Sequence, residues 1–474
     1  MQNQKQFVRH SAAVLLACGL VASLLPAFAA ADTPRPNIVF IFTDDQRFDA
    51  IGVVDEAITT PNLDRLAARG TRFANAFVTL SICSPSRAAV MTGQYGSVNG
   101  VTTLDRRIAD ASPLLPKLLH DAGYRTGMFG KWHLGNKPAE IGFNEANYFH
   151  SNGAFYSRKA IVEGASVTVP GYIDDAVADW SVAFIKRAHA DRLPFFLWHC
   201  TQVPHMDHTF DWPAQQHYLD LYDIAKMPLP LTWQDDLSGK PPYLKMARSR
   251  TRALEYGYDD PARIRRHIQR YRAATTQMDA TLGRLIDTVE ELRISDNTWF
   301  IFMGDNGWLI GEHGFTSKVL AYEESIRVPM IVAGPRTRPG VDERLALNID
   351  LAATILDIVG IDVPDAMHGR SLLTPSTDWR EAFVYEAPTP VLGTHPVIAV
   401  RDSRWKLIRT YDPDTPLRVA FTELYDLQND PNEMRNLADE PEHADRINRM
   451  AERIALHDRT IRRPRTASEP SFLK

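Results

Sequence analysis

The chain has 474 residues, 44% of them hydrophobic and 23% charged, an ordinary globular composition that excludes disordered and fibrous classes and suffices for one large core plus a smaller domain. The formal net charge of −5 becomes −7 when Lys5 and Arg9 are removed with an N-terminal leader, which speaks against nucleic-acid binding and against a polybasic membrane contact. An anionic substrate would have to be met by a local cationic pocket.

Residues 1–31 have the layout of a secretory signal peptide: Lys5 and Arg9, an apolar run from Ala12 to Leu25, then small residues from Ala27 to Ala31. Export is expected, to the periplasm in a Gram-negative cell and otherwise to the medium. Leu15-Leu16-Ala17-Cys18 offers a second reading, a lipoprotein cleavage site, but the apolar run continues past Cys18. That run is short for a membrane span and no later stretch reaches spanning length, so stable membrane insertion is not expected. After cleavage only Cys83 and Cys200 remain, too few for a disulfide framework.

Short apolar runs over 37–43, 124–129, 195–199 and 299–303 read as buried strands, and 60–68, 113–122 and 262–292 as helices between them. This alternation predicts an α/β domain, residues 32–376, with a mostly parallel sheet covered on both faces. Each strand is followed by polar residues: Asp44-Asp45, Lys131-Trp132-His133, Thr201 to His205, and Asp305-Asn306. Ligands in open α/β sheets bind outside the carboxyl ends of strands, so the four ends are expected to converge. The Pro-rich stretch 206–260 reads as an insertion over that site. Strands at 383–386, 397–401 and 405–410 and a helix near 438–457 predict a smaller domain over 377–460, followed by a polar tail, 461–474.

Cys83-Ser84-Pro85-Ser86-Arg87 precedes Ala88-Ala89-Val90-Met91, so Pro85 falls in the first turn of a helix with Cys83 at its mouth. Free N–H groups there favour an oxyanion, and Arg87 adds a fixed charge. Taken alone, Cys83 reads equally as an inert buried thiol. Asp44, Asp45, Asp305 and Asn306 offer hard oxygen donors suited to Ca²⁺ or Mg²⁺ rather than zinc; each pair taken singly is more often a turn. A strand-end position predicts that removing Asp305 costs metal and turnover with little loss of fold.

The run Cys83 to Arg87 followed by Met91-Thr92-Gly93 resembles the signature of the type I sulfatases, of the alkaline phosphatase superfamily. Asn37 to Phe40 leading to Asp44-Asp45-Gln46, Thr60 to Asp64, Gly130 to Gly135, Gly304 to Gly307, Gly311 to Gly314, Tyr322 to Pro329 and Glu423 to Leu427 resemble further family blocks in the family's order. The likeness runs from about Pro36 to Leu437. It implies an alkaline-phosphatase-like large mixed, mostly parallel sheet flanked by helices, with a smaller C-terminal antiparallel sheet. It also implies that a separate maturation enzyme converts Cys83 to formylglycine and that a divalent cation, Ca²⁺ ahead of Mg²⁺, is held by Asp44, Asp45, residue 83, Asp305 and Asn306. One hydroxyl of the formylglycine hydrate then displaces the alcohol of a sulfate ester, and loss of the other hydroxyl's proton expels sulfate.

By the same resemblance Lys131 and Lys318 neutralise sulfate oxygens, His133 contacts the diol, and His205 with Lys318 faces the bridging oxygen. Read from the residues alone, Lys318 is a solvated lysine and His208 competes with His205. The substrate implied is a sulfated small molecule or glycan, with a sulfated carbohydrate first; a phosphonate monoester or phosphodiester hydrolase is the alternative, and a non-catalytic glycan-binding protein a remote one. His150, Asn152, Trp308, His313 and Arg401 are candidates for the pocket wall. Asn99 stands where many relatives carry histidine.

Overall fold

The computed structural model describes residues 35–374, 377–415 and 418–461. The signal-peptide segment and the polar tail from 462 onward lie outside the described residues.

Ten strands form the main sheet. In chain order they are β1 (Asn37–Thr43), β2 (Thr71–Phe77), β3 (Arg125–Lys131), β4 (Glu145–Phe149), β5 (Tyr156–Val162), β6 (Ala165–Tyr172), β7 (Phe195–Cys200), β8 (Thr298–Gly304), then, after a two-stranded ribbon of β9 (Leu309–Ile310) and β10 (Thr316–Ser317), β11 (Met330–Ala333) and β12 (Gly340–Leu347). The order across the sheet is β12-β2-β11-β8-β1-β7-β3-β4-β5-β6. The four strands read from the sequence, β1, β3, β7 and β8, are mutual neighbours at the centre and run parallel; antiparallel pairings at β11 and at β5 and β6 make the sheet mixed.

Alternation along the central strands separates two cores, because successive side chains point to opposite faces. Val39, Ile41, Leu197 and Phe302 pack against α1 (Pro61–Arg69), α4 (Ile173–Ala190) and α6 (Pro261–Glu291). Ile38, Phe40, Trp198 and Ile301 pack against α2 (Cys83–Thr92), α3 (Leu115–Asp121) and α7 (Asp350–Val359). Both faces of these strands are therefore buried, and their interiors read as mostly apolar runs.

A second sheet of β13 (Ala382–Ala387), β14 (Val397–Asp402), β15 (Trp405–Tyr411) and β16 (Val419–Asp426) is antiparallel throughout. It carries α8 (Ala444–Thr460) on one face, while Tyr385, Val397, Ala399 and Tyr425 of the other join Phe77, Leu80, Ile82 and Tyr322 in one core. The stretch 206–260 is irregular, holding short turns of helix and α5 (Arg248–Glu255). Among the described residues no helix is long and apolar enough to cross a membrane.

Candidate active site

β1 and β8 pair in parallel with Thr43 opposite Gly304, so the residues that follow them leave the sheet side by side. The Asp305 N–H donates to the Thr43 carbonyl at 2.8 Å, and the Asp45 N–H donates to Asp305 Oδ1 at 3.1 Å. Asp45 turns into the site with φ of 58°. Asn306 Nδ2 donates to Asp45 Oδ1 at 2.6 Å. Gly130, one residue before Lys131, has φ of 108°, and a Cβ there would lie 1.7 Å from the Cys200 carbonyl oxygen; glycine lets β3 close onto β7 and deliver Lys131 to the same edge.

Helix α2 begins at Cys83, and all ten of its residues are buried. Cys83 Sγ lies 3.3 Å from Asp44 Oδ1, 3.5 Å from Lys131 Nζ and 2.9 Å from Lys318 Nζ. One turn on, Arg87 donates to Asp305 Oδ2 and to the Lys131 carbonyl, both at 2.8 Å. Lys131 also pairs with Asp44 and Lys318 with Asp45; Lys318 enters directly after β10. The structure thus brings together Asp44, Asp45, Cys83, Arg87, Lys131, Asp305, Asn306 and Lys318, drawn from five separate parts of the chain.

Both histidines reach the site. His133, φ 58°, is 3.7 Å from Asp105, which also takes His150 at 2.7 Å. His205 Nδ1 sits 2.6 Å from the Met206 carbonyl, so Nδ1 carries the hydrogen and Nε2 faces Asp45 Oδ2 at 3.4 Å. His208 is exposed beside Asp207, and it is His205 that lines the cleft.

Crowding sets the electrostatics. Burial pushes the Asp44 carboxyl up, but Lys131, His205, Lys318 and Arg87 outweigh it and hold the group well below the usual carboxylate range. Burial raises Asp45 to about 6 against the pull of Lys318, and burial together with the Asp44 charge raises Asp305 to about 7. Burial lowers both His133, with Lys131 adding to the effect, and His205, which falls to about 3. Lys318 is held well above the ordinary lysine value: burial opposes the charge, and Asp45 with Cys83 more than restores it.

The oxygen donors fit a divalent cation. Ligand atoms of Asp44, Asp45, Cys83 and Asp305 all lie within 4.8 Å of one another, and all four residues are buried. Asp45 Oδ2 is buried and has no hydrogen-bond donor among the described residues. Three carboxylates so close, two of them pushed toward protonation, are the charge distribution that a hard cation relieves.

A cleft of about 200 Å³ opens above Cys83, lined also by His133, Asn152, His205, Trp308 and Lys318. Three residues read as pocket wall do not line it. His313 is fully buried, bonded through Nδ1 to Asp235 at 2.7 Å, and Arg401 reaches toward Glu323 at 3.4 Å on another surface. His150 stands behind His133, its ring centroid 5.8 Å away, and does not line the cleft. Asn99 is buried and binds Thr92, Gln94 and Val101, a structural role in its loop. Asp105 and the cleft residues Phe210, Arg248, Arg252 and Tyr256 went unread from the sequence; the insertion carried a positional signal and no motif.

A doubly covered α/β sheet that gathers carboxylates at its strand ends, beside the buried mouth of a helix, is the architecture of the alkaline phosphatase superfamily. Within it the chain belongs to the type I sulfatases and is a sulfuric ester hydrolase. The sulfatase family model matches residues 36–361, and a model described as N-sulphoglucosamine sulphohydrolase, C-terminal, matches 311–460. An N-acetylglucosamine-6-O-sulfatase of Bacteroides thetaiotaomicron is 27% identical, over 87% of this chain and 84% of the relative. An ulvan-active sulfatase of Formosa agariphila is 27% identical, over 86% of this chain and 78% of its own. A structure solved in complex with its substrate, D-glucosamine-2-N,6-O-disulfate, superposes with a TM-score of 0.79 at 25% identity, covering 90% of this chain and 98% of that one. A phosphonate monoester hydrolase from Silicibacter pomeroyi, TM-score 0.72 at 24% identity over 90% and 96% of the two chains, shares the fold.

Proposed function

We propose that the protein is an exported sulfatase that hydrolyses sulfate esters of carbohydrates with formylglycine at position 83. The arrangement that carries the reading is Cys83 on the cleft floor, with Lys318 at 2.9 Å, Lys131 at 3.5 Å and Asp44 at 3.3 Å. As encoded, this thiol is a poor nucleophile, because burial and the Asp44 charge push it up to about 12. Conversion to formylglycine supplies a hydrated aldehyde whose second hydroxyl allows sulfate to be expelled, which a serine alkoxide lacks. The carbohydrate assignment draws on the sugar-sulfate relatives, and export on the leader-like residues 1–31. We divide the chain into a catalytic part through residue 376 and a smaller part over 377–460.

Asp44, Asp45, Asp305 and Asn306 would hold the cation together with residue 83. Ca²⁺ or Mg²⁺ bound by these residues would supply positive charge that offsets the carboxylates and Lewis acidity toward a sulfate oxygen. Arg87 locks Asp305 from behind, fixing one edge of the site before substrate arrives. Lys131 and Lys318 supply positive charge to sulfate oxygens that reach residue 83. His133 is positioned toward residue 83 with Asp105 behind it. Lys318 keeps its proton at neutral pH and donates it to the leaving alcohol. His205, held neutral by burial with its hydrogen on Nδ1, has a lone pair at Nε2 and assists only after the charge of the bound sulfate ester lets it take up a proton there, which it then passes to the same oxygen.

His205→Ala is therefore expected to slow sugar sulfates, whose leaving oxygen is basic, by about 10²-fold or more, and 4-nitrophenyl sulfate far less. Equal losses across a leaving-group series would remove His205 from proton delivery. The proposal as a whole is tested by initial rates on sulfated mono- and disaccharides beside aryl sulfate, aryl phosphonate and phosphodiester substrates. Sulfate release from sugar sulfates at the highest kcat/KM is expected; a higher kcat/KM on the phosphonate or phosphodiester would overturn it.

A further inference from the structure

The cleft has an electrostatic feature that hydrolysis of one sulfate ester leaves unused. Among the described residues no aspartate or glutamate lines it, although acids outnumber bases in the chain as a whole. Part of its wall is formed by α5, which contributes Arg248, Arg252 and Tyr256. Both guanidinium groups act on the Tyr256 phenol, opposing the rise to about 12 that burial gives it, so the three polar ends share one neighbourhood.

Neither arginine is committed to the fold. Arg248 is exposed, and its side chain has no carboxylate partner among the described residues. Arg252 pairs with Glu255 at 2.8 Å, but that contact lies at the surface, its ends 33% and 57% exposed, a kind of pair that contributes little and is readily exchanged. Arg252 also lies over the Phe210 ring, 5.1 Å from its centroid, which orients the planar guanidinium without satisfying its N–H donors. By contrast Arg250, between them, is half-buried and donates to the Gly314 carbonyl at 2.8 Å. The helix thus spends one arginine on structure and turns two toward the cleft.

We propose that Arg248 and Arg252 form a second oxyanion-recognition site, so that the preferred substrate carries, besides the sulfate ester that is cleaved, a second anionic group, either a sulfate or a carboxylate. A cavity of about 200 Å³ containing both the arginines and Cys83 puts the second group on the same small ligand as the scissile one. Paired guanidiniums match either oxyanion in bidentate fashion. This deepens the carbohydrate-sulfatase reading and rests on it: Arg248 and Arg252 would select the substrate without touching the reacting atoms.

The test compares kcat/KM on three probes: N-acetylglucosamine 6-sulfate, D-glucosamine-2-N,6-O-disulfate, and a 6-sulfated glucosamine joined to a uronic acid. Wild-type protein is expected to prefer one of the doubly anionic probes by about tenfold or more, the scale of one charge-assisted contact. The better of the two identifies sulfate or carboxylate as the recognised group. Arg248→Ala with Arg252→Ala should erase the preference through KM, and Arg248→Lys with Arg252→Lys should restore part of it. A wild-type preference for the singly sulfated sugar, or a double-anion preference that survives the alanine pair, would overturn the proposal. Turnover of 4-nitrophenyl sulfate without turnover of any sugar would instead overturn the carbohydrate reading beneath it.

Discussion

Cys83→Ala is expected to lower sulfate-ester turnover by about 10³-fold or more, the scale of losing a covalent nucleophile while binding and charge stabilisation remain. The side chain is 2% exposed and sits among polar partners at a helix mouth, so its loss removes one sulfur and no large packing contact. Unfolding free energy should change by about 1 kcal/mol, and cation binding measured by calorimetry should persist through Asp44, Asp45, Asp305 and Asn306. Cys83→Ser should be severely impaired unless the host's maturation enzyme accepts serine. Normal turnover by the alanine variant would exclude residue 83 as the nucleophile.

Asp305→Ala is expected to lose cation affinity and turnover together, and here the fold suffers as well. A strand-end position predicted little structural cost, but Asp305 is fully buried, and its Oδ2 takes Arg87 Nη2 at 2.8 Å. Removing it leaves the buried guanidinium with the Lys131 carbonyl and the Cys200 side chain but without its carboxylate partner, and an unpaired buried charge of this kind costs about 3–5 kcal/mol. Asparagine is no remedy: whichever way its amide faces, its NH₂ meets either the Arg87 guanidinium or the Asp45 N–H. Denaturant unfolding beside calorimetric titration with Ca²⁺ checks both effects. Unchanged cation affinity with full activity would take Asp305 out of the site, and unchanged stability would refute the coupling to Arg87.

Legibility in the sequence followed burial. The central strands β1, β3, β7 and β8 were readable because helices cover both faces, so their interior positions are mostly apolar or small, with charged Arg125 and Lys131 only at the ends of β3. β2 and β12, paired at one edge, and the β5–β6 hairpin at the other mix charged and exposed residues, so their period is blurred. The acidic donors were legible because they directly follow readable strands, as were Cys83 and Arg87 through their local motif. Lys318 and His205 are held by loops, and only the assembled fold separates them from a solvated lysine and from His208. His313 was a candidate for the cleft wall; its bond to Asp235, contributed by the insertion, buries it instead. Arg248 and Arg252 belong to that same insertion, where neither periodicity nor motif marks the side facing the site.

The most direct measurement is mass spectrometry of the peptide spanning Thr79 to Arg87, made on preparations matured to different extents and assayed in parallel for sulfate release. Turnover should rise in proportion to the fraction that shows the mass loss of thiol to aldehyde and reacts with hydrazides, and not with the amount of folded protein. A fully active preparation whose Cys83 is a free thiol, by mass and by thiol labelling, would contradict the formylglycine mechanism.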